Sequence, residues 1–351
     1  MSDSLFDGLK VLDVGSWIAG PVAGTILADY GADVIKIEMP GLGDAYRNLS
    51  GMAIVPQAST NYMWDMDARN KQSLSLNLKT EEGIKILHRL IEQCDVYITN
   101  QPFPLRDRLN LNYQDIKSLN PSMIYASLSA YGEAGPDKDR ESFDLVAYWA
   151  RTGLADLVRD GDAFPAPALP GMGDHPSAVT LYASIVTALL KRERTGEGAM
   201  VHTSLLANGL WSASCIAQAA FVGGDYSQYR ELASKRRFSR TMLGTADERY
   251  FIMSMVRTPE EVVSLLASLG LSGLLQDERF QTPETRFTNN DLFYDALQAR
   301  MLMEPAAHWQ RQFEHHKVPA YLVGRIEEMV DDPQVLVNKM AVAPNDPSIG
   351  G

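Results

Sequence analysis

The chain has 351 residues, of which 45% are hydrophobic and 22% charged, a composition typical of globular domains. Because one domain usually takes roughly 100–200 residues, this length predicts two domains and a substantial core. The formal net charge of −12 argues against a nucleic-acid-binding protein, since such proteins usually carry basic patches. A few local Lys and Arg residues can still bind phosphate groups on an acidic protein.

The two cysteines, Cys94 and Cys215, lack the spacing of a metal site or a disulfide framework, and we interpret both as packing residues. This cysteine usage favours a reducing, cytoplasmic location. The first ten residues, MSDSLFDGLK, lack the basic and apolar regions of a signal peptide. The most apolar stretch, 204–224, contains Asn, Gln and Ser, and it predicts a buried helix rather than a membrane span.

Short apolar runs alternate with helical patterns over the first 132 residues. The predicted strands are KVLDVGS, DVIKIE, QSLSLNL, DVYITN and SMIYASLSAYG, and the predicted helices are GPVAGTILADYGA, KTEEGIKILHRLIEQC and NYQDIKSL. Pro21 suits a first helical turn and Gly31 a helix C-cap. This β-α-β succession predicts a parallel sheet with helices on its faces, in which ligands bind at the carboxyl ends of the strands.

The middle of the chain predicts loops around one helix over 143–155 and a long helix over 176–194. A strand, AMVHTSLL, and the apolar helix follow. The polar run 223–241 predicts a linker, and 244–255 predicts a hairpin that is followed by helices. We therefore place a change of domain near residue 223.

Several common motifs are absent from the sequence. GSWIAGP stands where a dehydrogenase would carry GxGxxG after its first strand, which disfavours a nicotinamide enzyme. Neither a P-loop nor HExxH occurs. The six histidines show no metal-ligand spacing, and we interpret them as solvated surface residues. We therefore expect no metal site.

Basic residues cluster around two of the predicted strands. Arg69, Lys71 and Lys79 surround the third strand, and Arg106 and Arg108 follow the fourth. They form either a solvated charged face or a binding site for the phosphates of an anionic ligand near the strand ends. The charge pattern alone leaves both interpretations open.

Asp174 lies between a Pro/Gly-rich approach and the long helical pattern. One interpretation is a helix cap, because a carboxylate there accepts backbone N–H bonds. The other is a nucleophile. The field of the helix would lower the pKa of the acid and keep it ionised, and Gly171 and Gly173 would let a substrate approach closely.

Four stretches in this order resemble the class III CoA-transferases, a family that shares its fold with α-methylacyl-CoA racemase. They are LKVLDVGSWIAGPVAGTILADYGADVIKIEMPGLGD, RNKQSLSLNLKTEEG, DVYITN, and GMGD leading to LLKRERTGEGAMVHTSLL. The resemblance implies an α/β fold with a Rossmann-like parallel-sheet large domain over 1–222, a smaller α+β domain over 223–325, and an interlocked homodimer. It also implies that 326–351 returns toward the large domain, although the family usually continues further.

The resemblance implies a mechanism in which Asp174 attacks an acyl-CoA thioester and forms a mixed anhydride. The released CoA thiolate then gives an aspartyl-CoA thioester, and an incoming carboxylic acid repeats the steps in reverse. The partners are thus an acyl-CoA and a free acid. Coenzyme A serves as a substrate carrier, and no tightly bound cofactor is implied.

The same resemblance assigns the CoA contacts by position. They fall on Ile18, Ala19, Leu76, Lys79, Asn100, Pro102 and Arg108. Lys79 and Arg108 would meet phosphates, and the backbone near Leu76 would meet the adenine. Arg69 and Lys71 are candidates by proximity only.

The sequence departs from the oxalate-specific members of the family. Ile18 replaces a glutamine near the reacting carbonyl, Met39 replaces an arginine, and Glu141 replaces a lysine that Lys138 or Arg140 could substitute for. The glycine-rich lid of the small domain is also missing. These changes argue against oxalate and favour an apolar acyl chain, with backbone N–H groups near Ala19 as oxyanion donors.

Two alternatives remain beside CoA transfer. A racemase of this fold needs a histidine where Phe143 stands, and an apolar ring cannot carry a proton, so racemisation is disfavoured. A catalytically silent CoA-binding subunit that needs a paralogous partner is the other alternative. The aromatic residues near the strand ends either line an acyl site or pack in the core; they are Trp17, Tyr62, Trp64 and Trp149.

Overall fold

The computed structural model describes residues 4–159, 163–235, 238 and 242–342. Two compact units are present. The first contains the chain up to residue 158 together with 165–223, and the second contains most of 224–342. The predicted domain limits stay predictions, because residues 343–351 of the last predicted segment lie outside the described residues.

A six-stranded parallel sheet forms the centre of the first unit. Its strands are β1 (Lys10–Asp13), β2 (Asp33–Glu38), β3 (Gln72–Ser75), β4 (Val96–Thr99), β5 (Ile124–Ser129) and β6 (Ala199–Ser204). They lie in the order β3-β2-β1-β4-β5-β6, and every pair is parallel. The strand order reverses at β1 and β4, which is the position where open sheets of this type bind ligands. The predicted α/β class is confirmed.

Helices cover both faces of this sheet. They are α1 (Ala19–Asp29), α2 (Tyr62–Ala68), α3 (Glu81–Ile91), α4 (Phe103–Leu109), α5 (Tyr113–Ile116), α6 (Leu154–Leu157), α7 (Asp174–Thr195), α8 (Leu205–Ser212) and α9 (Ser214–Phe221). α1 and α7 share one core with the sheet, and α3 and α5 pack in a second core. α7 begins two residues before its predicted start, so Asp174 is its first residue. Gly196 ends it in the left-handed conformation that suits a glycine C-cap.

Two predicted helices are wrong in part. The segment over 143–155 forms a π-helix over Leu145–Ala150 followed by α6, because Gly153 adopts a φ of 82° between them. The apolar stretch 204–224 divides into α8 and α9 at Ser214, whose φ is 53°. Its Trp211 is 85% exposed. Cys215 on α9 is also exposed, so it is not a packing residue, whereas Cys94 is buried as predicted.

Among the described residues, no helix is both long and apolar enough to cross a membrane. This finding agrees with the polar Asn, Gln and Ser side chains of α8 and α9, which interrupt the most apolar stretch of the sequence. Each of these two helices is also shorter than a span requires.

The second unit contains a small antiparallel sheet and six α-helices within the described residues, besides 3-10 helices over Ser272–Gln276 and Ile326–Val330. The strands are β7 (Leu243–Gly244), β8 (Tyr250–Ile252) and β9 (Tyr321–Leu322), and the helices are α10 (Ser227–Ala233), α11 (Pro259–Ser268), α12 (Pro283–Thr288), α13 (Asn290–Met301), α14 (Ala306–His315) and α15 (Pro333–Val337). The antiparallel pairing of β7 with β8 confirms the predicted hairpin. Trp309 is fully buried in this unit and donates a 2.8 Å hydrogen bond to the Met301 carbonyl.

Candidate functional site

Two polar side chains fix the loop between β1 and α1. The amide of Asn100, which follows β4, accepts from Ser16 N at 2.9 Å and donates to Ser16 O at 2.8 Å. Asp44 accepts from Trp17 N at 3.1 and 3.2 Å. Trp17 has a φ of 66°, a conformation that costs energy for a bulky residue and that these bonds help to hold. The loop is therefore preorganised at the ligand-binding edge of the sheet.

A buried network of charges lies beneath this loop. Lys36 Nζ is 2.9 Å from Asp44, 3.6 Å from Asp13 and 3.0 Å from the Gly15 carbonyl, and Lys71 Nζ is 2.9 Å from Asp13. Burial alone would raise the pKa of Asp13, but Lys36 and Lys71 together hold it below its usual value. The network neutralises its own charges and supports the loop from below.

The first two basic residues of the predicted cluster are engaged elsewhere. Lys71 belongs to the buried network, and Arg69 makes an ion pair of 2.5 Å with Asp29. Arg106 is also buried, where it donates to the Gln101 carbonyl and to Ser127 Oγ. The predicted cluster is therefore not a single phosphate-binding face, because much of its charge supports the fold.

A cavity of about 300 Å³ opens at the carboxyl edge of the sheet beside this loop. Its lining includes Asp174 together with four of the predicted CoA contacts, which are Ile18, Ala19, Asn100 and Pro102. The other predicted contacts, Leu76, Lys79 and Arg108, lie outside the lining. Of these three, Leu76 is buried and the two cations are exposed. The structure thus brings the predicted nucleophile and the first and fourth strand ends together.

Asp174 is half-buried at the start of α7, and its carboxylate makes no hydrogen bond within the described part of the chain. Gly173 is the N-cap residue, so the helix-cap interpretation of Asp174 does not hold. Burial, with help from the charges of Asp144 and Asp67, raises the pKa of Asp174 to about 7, and His175 partly opposes them. The predicted lowering of this pKa is wrong, because burial and two neighbouring acids outweigh the field of the helix.

Asp144 holds the turn that precedes α7 through hydrogen bonds. Its carboxylate accepts from Gly173 N at 2.9 Å and from Leu145 N at 2.8 Å, so it joins α7 to the start of the π-helix. A Cβ at position 173 would lie 2.6 Å from the Tyr148 ring, which explains why glycine is needed there. The Asp174 backbone is therefore held in place by its neighbours.

His175 was not identified from the sequence as a site residue; its side chain is 39% exposed, and both of its ring nitrogens contact protein groups. Its Nε2 lies 3.0 Å from Asp67 Oδ1, and its Nδ1 lies 2.9 Å from the Gly171 carbonyl. Asp67 is 2% exposed and also accepts from the Tyr46 hydroxyl at 2.6 Å. The sequence offered one indication of its role, which is its position next to the candidate nucleophile. Its contact with Asp67, 108 positions away, left no pattern in the sequence.

Apolar and basic groups share the rest of the lining. Trp17 and Phe143 form an edge-to-face pair with centroids 5.4 Å apart, and Phe143 is 58% exposed. Lys138 and Arg140 also line the cavity, and they can attract an anionic ligand. Glu141 lies beside them in the lining. The cavity thus offers an apolar wall and, over 138–141, a segment of two cations and two acids that also includes Asp139.

The other aromatic candidates pack away from this cavity. Trp149 is buried and donates a 2.8 Å bond to the Ala166 carbonyl. Trp64 carries the Arg47 guanidinium 3.7 Å above its ring, and Tyr62 donates to the Pro56 carbonyl. Within the described ranges, no group of three or more His, Cys, Asp or Glu side chains has an arrangement that could hold a metal ion.

Comparison with known proteins identifies the family. Residues 6–351 match the profile of CoA-transferase family III. The chain is 29% identical to the (R)-2-hydroxy-4-methylpentanoate CoA-transferase of Clostridioides difficile, covering 95% of this chain and 83% of that protein. It is also 29% identical to the cinnamoyl-CoA:phenyllactate CoA-transferase of Clostridium sporogenes, covering 95% and 82%.

A solved structure gives the same result for the fold. A CAIB/BAIF family protein from Brucella suis superposes with a TM-score of 0.85 at 27% identity, over 96% of this chain and 89% of that one. The profile match spans nearly the whole sequence, and both curated relatives carry CoA-transferase activity in their names. The chain therefore belongs to CoA-transferase family III and is a class III CoA-transferase.

Proposed function

We propose that this enzyme moves CoA from an acyl-CoA to a free carboxylic acid with Asp174 as its covalent nucleophile. One observation carries the proposal: the Asp174 carboxylate lines the cavity at the strand ends and makes no hydrogen bond with the described residues. A carboxylate without donors keeps its lone pairs available for attack. Its raised pKa, about 7, also makes it a stronger nucleophile than an exposed aspartate.

The chemistry balances in four steps. An Asp174 oxygen attacks the thioester carbonyl, the C–S bond breaks, and a mixed anhydride and a CoA thiolate form. The thiolate attacks Cγ of Asp174, releasing the donor acid and leaving an aspartyl-CoA thioester. The acceptor carboxylate attacks the same Cγ and expels the thiolate, which then attacks the acceptor carbonyl and frees Asp174. No net proton is consumed.

The start of α1 supports the charge that develops on the carbonyl oxygen. The first turn of a helix leaves its N–H groups without partners inside the helix, and those of Ala19 and Gly20 occupy this position in α1. Ile18 and Ala19 line the cavity together with Asp174. Backbone donors at a helix N-terminus stabilise an oxyanion without any side-chain amide, which is consistent with isoleucine in place of glutamine.

Coenzyme A is proposed as a substrate carrier and not as a tightly bound cofactor. Its pantetheine arm would reach Asp174 past Asn100 and Pro102, and Lys138 and Arg140 in the lining are the proposed cations for its phosphates, beside the acids Asp139 and Glu141. Leu76, Lys79 and Arg108 stay proposed contacts for the adenosine end, outside the cavity lining.

The acid exchanged is proposed to carry an apolar side chain. Trp17, Ile18 and Phe143 line the cavity together with Asp174 and give it an apolar wall. The Clostridioides and Clostridium relatives act, by their names, on acids with a branched or aromatic side chain. This wall offers contact area to such groups and no partner for a second carboxylate.

The test is detection of the covalent intermediate. The enzyme is incubated with a panel of branched and aromatic acyl-CoA donors, and intact-protein mass spectrometry measures an adduct equal to CoA less one water. Peptide mapping after hydroxylamine treatment should place a hydroxamate on Asp174. Asp174→Asn should abolish the adduct and lower transfer by on the order of 10³-fold or more.

A matched control uses Glu193→Gln, which removes an exposed acid from the same helix and should retain both adduct and activity. Transfer by Asp174→Asn at the wild-type rate would contradict the proposal. Incorporation of deuterium at the α-carbon in D2O without an acceptor acid would favour the racemase alternative. Turnover by the purified chain alone would exclude a silent subunit.

A cytoplasmic homodimer is also proposed. Cys94 and Cys215 are both free, which suits a reducing compartment. Trp211, Phe221 and Val222 are more than two-thirds exposed on and after α8 and α9, and an exposed apolar surface of this kind suits association with a second copy. Sedimentation velocity of the purified chain tests the dimer.

A further inference from the structure

The ring of His175 has a hydrogen-bond acceptor at each of its two nitrogens. Nε2 is 3.0 Å from a carboxylate oxygen of Asp67, and Nδ1 is 2.9 Å from the carbonyl oxygen of Gly171. A neutral imidazole carries one N–H and one lone pair, so it could donate to only one of these acceptors. Both contacts are satisfied only when both nitrogens carry a proton. Two acceptors at these distances favour the imidazolium cation over either neutral form of the ring.

The acceptors are themselves fixed, so this preference does not depend on a mobile group. Asp67 is 2% exposed at the end of α2, and its other carboxylate oxygen accepts from the buried Tyr46 hydroxyl at 2.6 Å. The Thr25 hydroxyl donates to the Asp67 carbonyl at 2.5 Å. On the other side, Gly171 has a φ of 80°, and a Cβ there would lie 3.0 Å from the His175 ring. The ring lies between two positioned acceptors.

We propose that His175 is a positioning residue: an imidazolium, held by Asp67 and the Gly171 carbonyl, whose positive charge keeps the neighbouring Asp174 carboxylate ionised for attack. The inference rests on the proposed function of Asp174. His175 does not touch the reacting atoms in this scheme. It acts through Asp174 and through the Gly171–Gly173 turn that leads into α7.

The charges around Asp174 show why such a cation is needed. Asp144 faces it from the start of the π-helix and Asp67 from α2, and both disfavour its ionised form, as does burial. Tyr46 stays neutral, since its pKa is raised by burial and by Asp67. Lys71 interacts with Asp67 but belongs to the buried network around Asp13. The charge of His175 opposes these effects at Asp174.

The electrostatic balance at His175 agrees with the contact geometry. The hydrogen bond to Asp67 raises the pKa of His175, burial acts against it, and the carbonyl of Gly171 and the charge of Asp174 add to the rise. The charged form is therefore favoured below this raised pKa and is lost as the pH rises through it.

The experiment measures the two charge states directly in the full-length enzyme. Histidine labelled with ¹⁵N reports whether both ring nitrogens of His175 are protonated at pH 7, and aspartate labelled with ¹³C at Cγ gives the titration midpoint of Asp174. His175→Gln should raise that midpoint by on the order of one pKa unit, since an adjacent opposite charge lowers a carboxyl pKa by about that much or more. The acid limb of the kcat/KM–pH profile should shift to higher pH by the same amount.

Rescue and control variants separate charge from structure. His175→Lys restores a cation and should return the Asp174 midpoint and the acid limb most of the way to wild type, although kcat need not recover because the Gly171 bond is lost. His202→Gln removes an exposed histidine from β6 and should change neither quantity. Lysine and glutamine variants with the same unshifted midpoint would overturn the proposal, since a purely structural role predicts that result.

The outcomes for the two proposals are distinguishable. A neutral His175 ring at pH 7, with one nitrogen unprotonated, overturns this inference whether or not Asp174 is the nucleophile. Absence of the CoA adduct from the wild-type enzyme overturns the proposed function, yet it leaves the two NMR midpoints interpretable. Because the midpoints need no substrate, the charge coupling is measured even in a protein that does not turn over.

Discussion

Two acids in the first unit have pKa values that are shifted in opposite directions. Asp13 is fully buried at the end of β1, and two lysines hold its pKa below the usual value. Asp174 is only half-buried at the start of α7, yet its pKa rises to about 7. Burial acts in the same direction on both. The difference lies in the neighbours: Asp13 has Lys36 and Lys71, whereas Asp174 has other acids and one histidine.

The two acids show how one fold contains both a carboxylate with a lowered pKa and a carboxylate with a raised pKa. The fully paired acid stabilises the loop above it and is not free to react. Ionising the acid that has too few cations costs stability, and its raised pKa is what the proposed role of Asp174 as nucleophile requires at neutral pH. Perturbed acids of this second kind concentrate at functional sites.

The largest expected effect on stability comes from removing a cation from the paired acid. Lys36→Met removes a cation within 2.9 Å of Asp44 and 3.6 Å of Asp13, and it leaves a buried carboxylate short of its partner. We expect the free energy of unfolding to fall by about 3–5 kcal/mol. Urea titration followed by circular dichroism measures this loss.

Lys10→Met is the matched control for that variant, because Lys10 is exposed on β1, beside β2, which carries Lys36. Its unfolding free energy should stay within about 0.5 kcal/mol of wild type. A Lys36→Met protein as stable as this control would mean that the network adds nothing to the fold.

Asp174→Asn should raise the free energy of unfolding, whereas Lys36→Met lowers it. Its native pKa lies above the unfolded value of 3.8, so the unfolded chain releases this proton first, and ionising the native acid costs stability as the pH rises from about 4 to about 7. Removing the charge should stabilise the protein by roughly 1–2 kcal/mol at pH 8, after allowance for partial exposure, and by almost nothing below pH 4. Urea titrations at the two pH values test it.

Asp13→Asn, measured beside Asp174→Asn, tests the contrast between the two acids directly. The folded pKa of Asp13 is lowered, so its stabilisation is present above pH 3.8 and is lost only as the pH falls further. That variant should therefore lose stability at pH 8, where Asp174→Asn gains it. If both variants gained stability at pH 8, or both lost it, the neighbouring charges would not decide whether a buried acid stabilises the fold.

The smallest effect is expected at an exposed pair. Arg69 and Asp29 lie 2.5 Å apart, but the arginine side chain is 46% exposed, so solvent and salt screen the attraction. Arg69→Gln should cost less than about 1 kcal/mol, and the loss should shrink in high salt. A loss as large as that of Lys36→Met would show that exposure does not separate these two ion pairs.

Much of the first unit could be predicted from the sequence. The apolar runs and helical periods gave the five strands up to residue 132 and the helix that begins at Asp174 nearly as observed, since these patterns are local. The failures came where backbone geometry is special. Gly153 and Ser214 take positive φ values that divide predicted helices, and Ser214 gives no sign of this in its residue type.

The candidate site also has a part that the sequence predicted and a part that it did not. The Gly-flanked Asp174 was identified from its place in the chain and from the family resemblance. Burial is the main cause of its raised pKa, and the charges that add to the rise come from Asp144 and Asp67, which lie 30 and 107 residues earlier in the sequence. The ion pairs of Lys71 and Arg69 could not be predicted for a related reason, because their partners Asp13 and Asp29 are also remote in the sequence.

The sequence by itself determined the parallel α/β architecture, the family and the position of the acid that begins α7, because periodicity and ordered motifs are properties of neighbouring residues. Only the tertiary structure decided which charges are paired, that His175 meets two acceptors, and that burial raises the pKa of Asp174. Electrostatic energies depend on distances through space and on exposure to water, and the linear order of residues fixes neither until the chain folds.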